Sequence, residues 1–451
     1  MNTTLGLVTL LILILLVIRQ IKVWKLRVFL SPGFYFGFLW ILGVVGILIF
    51  TRAELIPLDA PENMNELMSF IGFTGLCFLI LTKRGYGKIN KNAIKIQFTS
   101  WKVFCVLAIV LAIAAIAEFM RVGGSFNMGE TRSALHEIEA SRPTWINYIH
   151  TCAVPISIYA GYKLMNCIIS HIKITIPSIV FMTLPLIANL FFSIAEGGRV
   201  DFVYCFAYYL MGAAFSLPIS ASMKTFRKPL IIIGISALVL MGFISAVASQ
   251  RAEHSSGNIS DTQMFFETKY PALSFLYGPV EYMTVTFVGY QYRRDDAVDL
   301  SKLGYGRYAF NGFINWTLPF ASQLGLGGKS IATELGIYYH AQETYDFHRI
   351  AYFVTHSCYI PLVKDFGPIG IFVVIFILVY IAHTLFVKLQ SKQCIWHAST
   401  FYLFFLFWEY WVKSNYYGTL SYSVLIPLYG FLILDILNYI FTPRKRTFLT
   451  K

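Results

Sequence analysis

The sequence predicts an all-α polytopic integral membrane protein of about 11 transmembrane helices, with one large outer loop of amphipathic or re-entrant helices. Three observations lead there. The 451-residue chain is 57% hydrophobic and only 13% charged, about half the charged share of a soluble domain. Apolar runs of about twenty residues recur along it, each long enough to cross roughly 30 Å of hydrocarbon as a helix. Lys and Arg gather in alternate connections, as cytoplasmic loops require.

The first run, "MNTTLGLVTLLILILLVIRQIKVWKLR", carries its basic residues after the apolar stretch. A secretory signal has the reverse order, so a first span with its N-terminus outside is expected. The spans then follow at about 3–18, 29–50, 67–82, 103–120, 145–162, 174–193, 200–219, 230–248, 366–387, 398–412 and 422–442. The inner connections at 19–28, 83–102, 163–173, 220–229, 388–397 and 443–451 hold 21 of the 36 Lys/Arg and no Asp or Glu. Orientation rules concern Lys and Arg alone, so this exclusion of acids adds to them; Asp435, in the last span, is the one acid away from the outer side. The net charge of +13 is thereby accounted for by loops facing anionic lipid, and nucleic acid is not expected as a partner.

Three regions result: 1–248 with eight spans, a large outer region at 249–365, and 366–451 with the last spans and a basic tail. Within the outer region, 271–290 and 308–328 are apolar enough to raise the possibility of further spans. Crossing there would turn "RRDDAVDLSK" (293–302) into an inner loop with acids, so helices at the outer surface are preferred. The region far exceeds an ordinary connection of a few residues. It is rich in Tyr, Phe and Trp, which serve either as an interfacial belt or as platforms for sugar rings.

Seven cysteines are scattered without a CxxC pair, so neither a disulfide framework nor a zinc site is predicted. No Walker loop, GxGxxG, HExxH or nucleophile elbow occurs. Basic residues expected on the outer side run against the orientation trend: Arg52, Arg121, Arg132, Arg142, Arg199, Arg251, Lys269, Arg293, Arg294, Lys302, Arg307, Lys329, Arg349, Lys364 and Lys413. Arginine holds phosphate oxygens with a planar, permanently charged fork. Pairing with neighbouring acids is the alternative, above all for Arg293 and Arg294 beside Asp295 and Asp296. Arg199 lies in the short turn "EGGRVDF", where Gly197 and Gly198 let backbone approach a ligand closely. Glu196 and Asp201 either orient that guanidinium or neutralise it. His340, His348 and His356 recur every eight residues, too widely for a metal site; a general base or a partner for sugar hydroxyls suits them better.

This order of features resembles the oligosaccharide repeat-unit (O-antigen, Wzy-type) polymerases of bacterial inner membranes. The features are Arg132 in "RVGGSFNMGETRSALHEI", the Gly-Gly-Arg turn, and a long outer loop ending in "THSCYIPLVKDFGPIGIFVV". Lys413 follows in the last outer turn. Arg293 and Gly304, eleven residues apart, match a signature of some members. The resemblance implies a GT-C-like membrane glycosyltransferase of lipopolysaccharide or related polysaccharide biosynthesis. It would move a growing glycan from undecaprenyl diphosphate to a hydroxyl of an incoming lipid-linked repeat unit. Arg199, Glu196, His356 and Asp365 become the catalytic candidates, with Glu196, His356 and Asp365 as alternative bases. Arg132, Arg251, Arg293, Arg294, Arg307, His348, Arg349 and Lys413 become the diphosphate and substrate candidates. No cofactor is expected, because the carrier is already activated; a chain-length regulator is a candidate partner. An O-antigen ligase shares the donor and the outer loop. A flippase would need mid-span charges and internal repeats, which are not evident. A non-catalytic membrane scaffold is the remaining reading.

Overall fold

The computed structural model describes residues 2–56, 59–96, 101–126, 143–173, 175–195, 200–219, 261–297, 303–310, 357–391 and 394–395, with single positions between 430 and 440. The predicted spans 230–248 and 398–412, the span 422–442 apart from those single positions, and 311–328 lie outside them. The described residues are overwhelmingly helical. Seven helical stretches among them are long and apolar enough to cross a membrane, which defines a multi-pass membrane protein. They coincide with seven predicted spans. The predicted span at 200–219 is a helix of 16 residues, Val200–Phe215.

The contacts divide the chain into two units. The first draws on Met1–Ile89 and Ala221–Ser391. Its helices are α1 (Thr3–Trp24), α2 (Pro32–Arg52) and α3 (Pro61–Leu81). Ser31 caps α2 by accepting the Phe34 N–H at 3.3 Å, with Pro32 at the first position; both residues suit a helix start. Helix α2 runs against α1, since Gly37 faces Val17 and Leu16 while Gly6 faces Leu48. Helix α3 runs with α1, Gly72 lying on Thr9 and Gly75 on Ile12. Glycines at such contacts let helices approach where lipid supplies no hydrophobic drive. A buried polar chain ties all three at one end: Ser31 donates to Gln20 (2.8 Å), and Gln20 donates to Thr82 (3.0 Å).

Two later helices complete this unit. Helix α11 (Tyr359–Ser391) is broken at Gly367, whose φ of 72° and ψ of 172° leave the helical region, with Pro368 following. Its longer arm runs parallel to α3, from Phe372 on Phe70 and Phe73 to Val387 beside Gly85. The shorter arm begins deep in the unit, where Tyr359 is fully buried and its hydroxyl meets that of Thr74 at 2.8 Å. The sequence expectation of a span starting at 366 therefore falls on the break.

Helix α10 (Tyr277–Ala297) covers most of 271–290, where amphipathic or re-entrant helices at the outer surface were expected. It is packed into the unit, against Gly43 and Gly46 of α2 through Met283, Phe287, Val280 and Thr284, and Phe287, Val288 and Tyr290 are fully buried. At its C-terminal end Asn63 donates to the Gln291 carbonyl (3.2 Å) and to Asp295 (3.1 Å). A short preceding helix, α9 (Asp261–Lys269), keeps Met264 exposed.

The second unit draws on Asn90–Ser220. It contains α4 (Trp101–Arg121), α5 (Thr144–Thr151), α6 (Ala153–Ile169), α7 (Ile176–Ala195) and α8 (Val200–Phe215). Trp101 meets Phe181 and Phe119 meets Phe191, so α4 and α7 run in parallel. Helices α6 and α8 run antiparallel at backbone contact. A Cβ on Gly161 would collide with the Tyr209 carbonyl, and one on Gly212 with the Ile158 carbonyl. Two-residue strands at Lys95–Ile96 and Cys394–Ile395 pair in parallel, joining two segments that charge assigns to the same side.

Candidate functional site

One end of the first unit collects its charged groups of both signs. Asn2 caps α1 there and its N–H donates to Asn65 at 2.8 Å. On the adjoining turn of α3, Glu66 accepts from Arg294 Nε (2.8 Å) and Nη2 (3.2 Å) and from the Tyr290 hydroxyl (3.1 Å). Asp295 accepts from Arg294 Nη1 at 3.0 Å. Burial opposes the charge of Arg294, but the hydrogen bonds to Glu66 and Asp295 outweigh it and raise its pKa further. Arg294 is thus paired with two carboxylates, the alternative named for it.

Asp365 lies at the break of α11 and is fully buried. Its oxygens accept from the Tyr308 N–H (3.1 Å to each) and the Ala309 N–H (2.6 Å), with the Gly306 N–H also bonded. The Tyr305 and Gly304 amides in turn donate to the Asp365 and Lys364 carbonyls at 3.1 and 3.2 Å. Positive φ at Tyr305 (50°) and Gly306 (96°) shapes a turn whose Gly306, Tyr308 and Ala309 amides converge on this carboxylate. In this arrangement the Asp365 carboxylate is held by backbone amides, which positions the turn. Gly304 gains a reason of its own, since a Cβ there would strike the Asp365 carboxylate and the Tyr308 ring.

What the turn presents is cationic. The Arg307 guanidinium lies 5.8 Å and the Lys364 ammonium 5.0 Å from the Tyr308 ring centroid. Arg307 is exposed and Tyr305 beside it is 82% exposed, while the Tyr308 ring is buried beneath them. No ion pair among the described residues engages either cation. The break at Gly367 precedes Phe372 by five residues, so the turn stands about 7 Å nearer the N-terminal end of α3 than Phe70 does. Among the described residues the structure thus brings together Arg307, Lys364, Tyr308 and Asp365 from segments far apart in sequence.

The remaining expectations distribute differently. Arg293 lies in the last turn of α10, and nothing of its side chain is described. Arg199, Glu196, His356, Arg132, Arg251, His348, Arg349 and Lys413 lie outside the described residues. In the second unit, Arg121 is tied to Glu118, itself buried, at 2.9 and 2.8 Å. His150 stacks on Phe192 with centroids 4.2 Å apart, close to where α7 ends before the Gly-Gly-Arg turn. Lys364 and Tyr308 were not singled out as site residues by the sequence; the signal available was Lys364 immediately before the "DFG" lead-in. No group of three or more His, Cys, Asp or Glu suited to a metal occurs among the described residues.

Comparison of the chain with family models, curated proteins and solved structures gave no match.

Proposed function

We propose that this chain is a membrane glycosyltransferase that joins undecaprenyl-diphosphate-linked repeat units into a surface polysaccharide. It would act at the periplasmic face of a bacterial inner membrane. The observation that carries the reading is the pair of cations, Arg307 and Lys364, set on the buried Tyr308 ring by a turn that Asp365 holds rigid. The order of sequence features shared with repeat-unit polymerases supports it. In the reaction the bond from the anomeric carbon to the carrier diphosphate breaks and a bond to the acceptor hydroxyl forms. The acceptor proton passes to a base, and the diphosphate leaves on its lipid. Charge growing on that diphosphate is where preorganised cations lower a barrier. Arg307 offers a bidentate fork to it, and Lys364 adds a second charge. Arg199 serves as a further clamp, and Glu196 or His356 as the base, in the same scheme. Exposed Tyr305 suits an apolar sugar face.

The test is the purified full-length protein incubated with synthetic lipid-linked repeat units, products being resolved as a ladder. Arg307→Gln combined with Lys364→Gln should cut polymer formation by at least about tenfold, since charge-assisted bonds are worth about 1.5–3 kcal/mol each. Elution as a single folded species is the control. A double variant that builds the ladder at the wild-type rate ends the assignment of these cations. Accumulation of intact polymer on the carrier in a deletion strain would identify a ligase instead.

A further inference from the structure

At the opposite end of the first unit, the seam between α3 and α11 ends at Arg84 and Tyr380. Arg84, in the turn after α3, lays its guanidinium 4.6 Å from the Tyr380 ring centroid, and Nη2 donates to the Tyr380 hydroxyl at 3.2 Å. The backbone beneath is fixed: the Arg84 carbonyl lies 3.1 Å from His383 Nε2, and Gly85, at φ 78°, packs on Val387. Guanidinium has five N–H donors, so one bond to a phenol leaves most of them open. No ion pair among the described residues engages Arg84. Lys83 and Lys88 are exposed on the same turn, and no acid occurs anywhere in 83–102.

The surface leading to this cation is apolar. On α3, Leu76 and Ile80 precede Arg84 at intervals of four and are 40% and 64% exposed. On α11, Val373 and Phe376 precede Tyr380 at intervals of three and four and are 62% and 47% exposed. Phe376 stacks toward Tyr380 at 6.3 Å. Both stripes start beside the Phe73–Phe372 contact and converge on Arg84, a course of about 12 Å at 1.5 Å per residue. An apolar course ending in a preoriented cation that no ion pair among the described residues engages suits an acyl chain with an anionic headgroup.

We propose that this seam is a binding site for an anionic glycerophospholipid of the leaflet on the basic side. The phosphate sits on Arg84 with Lys83 and Lys88 around it, and an acyl chain lies along Ile80 and Phe376. The site is remote from the Arg307 turn and does not rest on the polymerase reading. Interfacial basic pockets between transmembrane helices are suited to such headgroups.

The experiment is native mass spectrometry of the detergent-purified full-length chain, titrated with equimolar phosphatidylglycerol and phosphatidylcholine of identical acyl chains. The wild type should retain phosphatidylglycerol about tenfold over phosphatidylcholine, the scale of one charge-assisted contact. Arg84→Ala should bring the two within about twofold on that same scale. Equal retention by the wild type, or an undiminished preference in Arg84→Ala, overturns the proposal. So does full displacement by millimolar inorganic phosphate, because the apolar stripe would then contribute nothing. Should Arg84→Ala not elute as folded protein, Arg84→Gln and Arg84→Lys take its place. Preference lost in the first and kept in the second supports the site; equal behaviour refutes it.

Discussion

Asp365 occupies a position where a carboxylate would be costly unless its oxygens were filled, and backbone amides fill both. Asp365→Ala removes the shared acceptor of the Gly306, Tyr308 and Ala309 amides. Each buried donor left unsatisfied costs about 1–3 kcal/mol, so the variant should melt several degrees lower in detergent and lose polymer formation together. Asp365→Asn separates the two roles discussed for this residue. A proton acceptor replaced by an amide would lose activity at an unchanged melting temperature, whereas a turn anchor would lose stability in step with activity. The second outcome is expected, and the first would support Asp365 as a base. Legibility at this scale was uneven. Arg307 was visible as a cation out of place, and "DFG" as a marked junction. The partnership of Asp365 with residues 56 and 57 positions earlier was invisible, because no local period links them.

Helices α6 and α8 meet at Gly161 and Gly212 with backbone against backbone, the closest approach available to helices. A side chain at either position must push the partner carbonyl away. Gly161→Val and Gly212→Val should each destabilise the folded protein by about 1–3 kcal/mol, the range for overpacking. Thermal unfolding in detergent measures this. Gly87→Ala is the control, since a Cβ there meets nothing within 4 Å, and a melting temperature unaffected by all three variants would refute the contact. Neither glycine announces itself in the sequence, where each is one small residue within an apolar run. Seven of the spans were legible because hydrocarbon thickness imposes a length and an apolar composition on any helix that crosses it. Helix α10 escaped that logic. Its Thr284, Thr286 and Gln291 are buried inside protein, so neither a lipid-like composition nor an amphipathic stripe marks it as a core helix.

The first unit is a dipole in composition. Glu62, Glu66, Asp295 and Asp365 gather toward the end where α3 starts, while Lys22, Lys83, Arg84, Lys88 and Lys388 gather where α3 stops. Loop charge in the sequence assigns the second pole to the cytoplasm, and the packing agrees that each set shares an end. Both functional readings depend on that polarity. A diphosphate presented to Arg307 and an anionic lipid held by Arg84 belong to opposite leaflets. Cysteine labelling reads the orientation directly. Tyr305→Cys, at a position 82% exposed, should react with a membrane-impermeant maleimide in intact cells. Lys88→Cys should react only after permeabilisation. The wild type sets the background, as its described cysteines are buried or half-buried. The reverse pattern would put Arg307 beside the cytoplasm, where polymer assembled on a translocated carrier could not reach it, and the glycan-joining role of this turn would be lost with it.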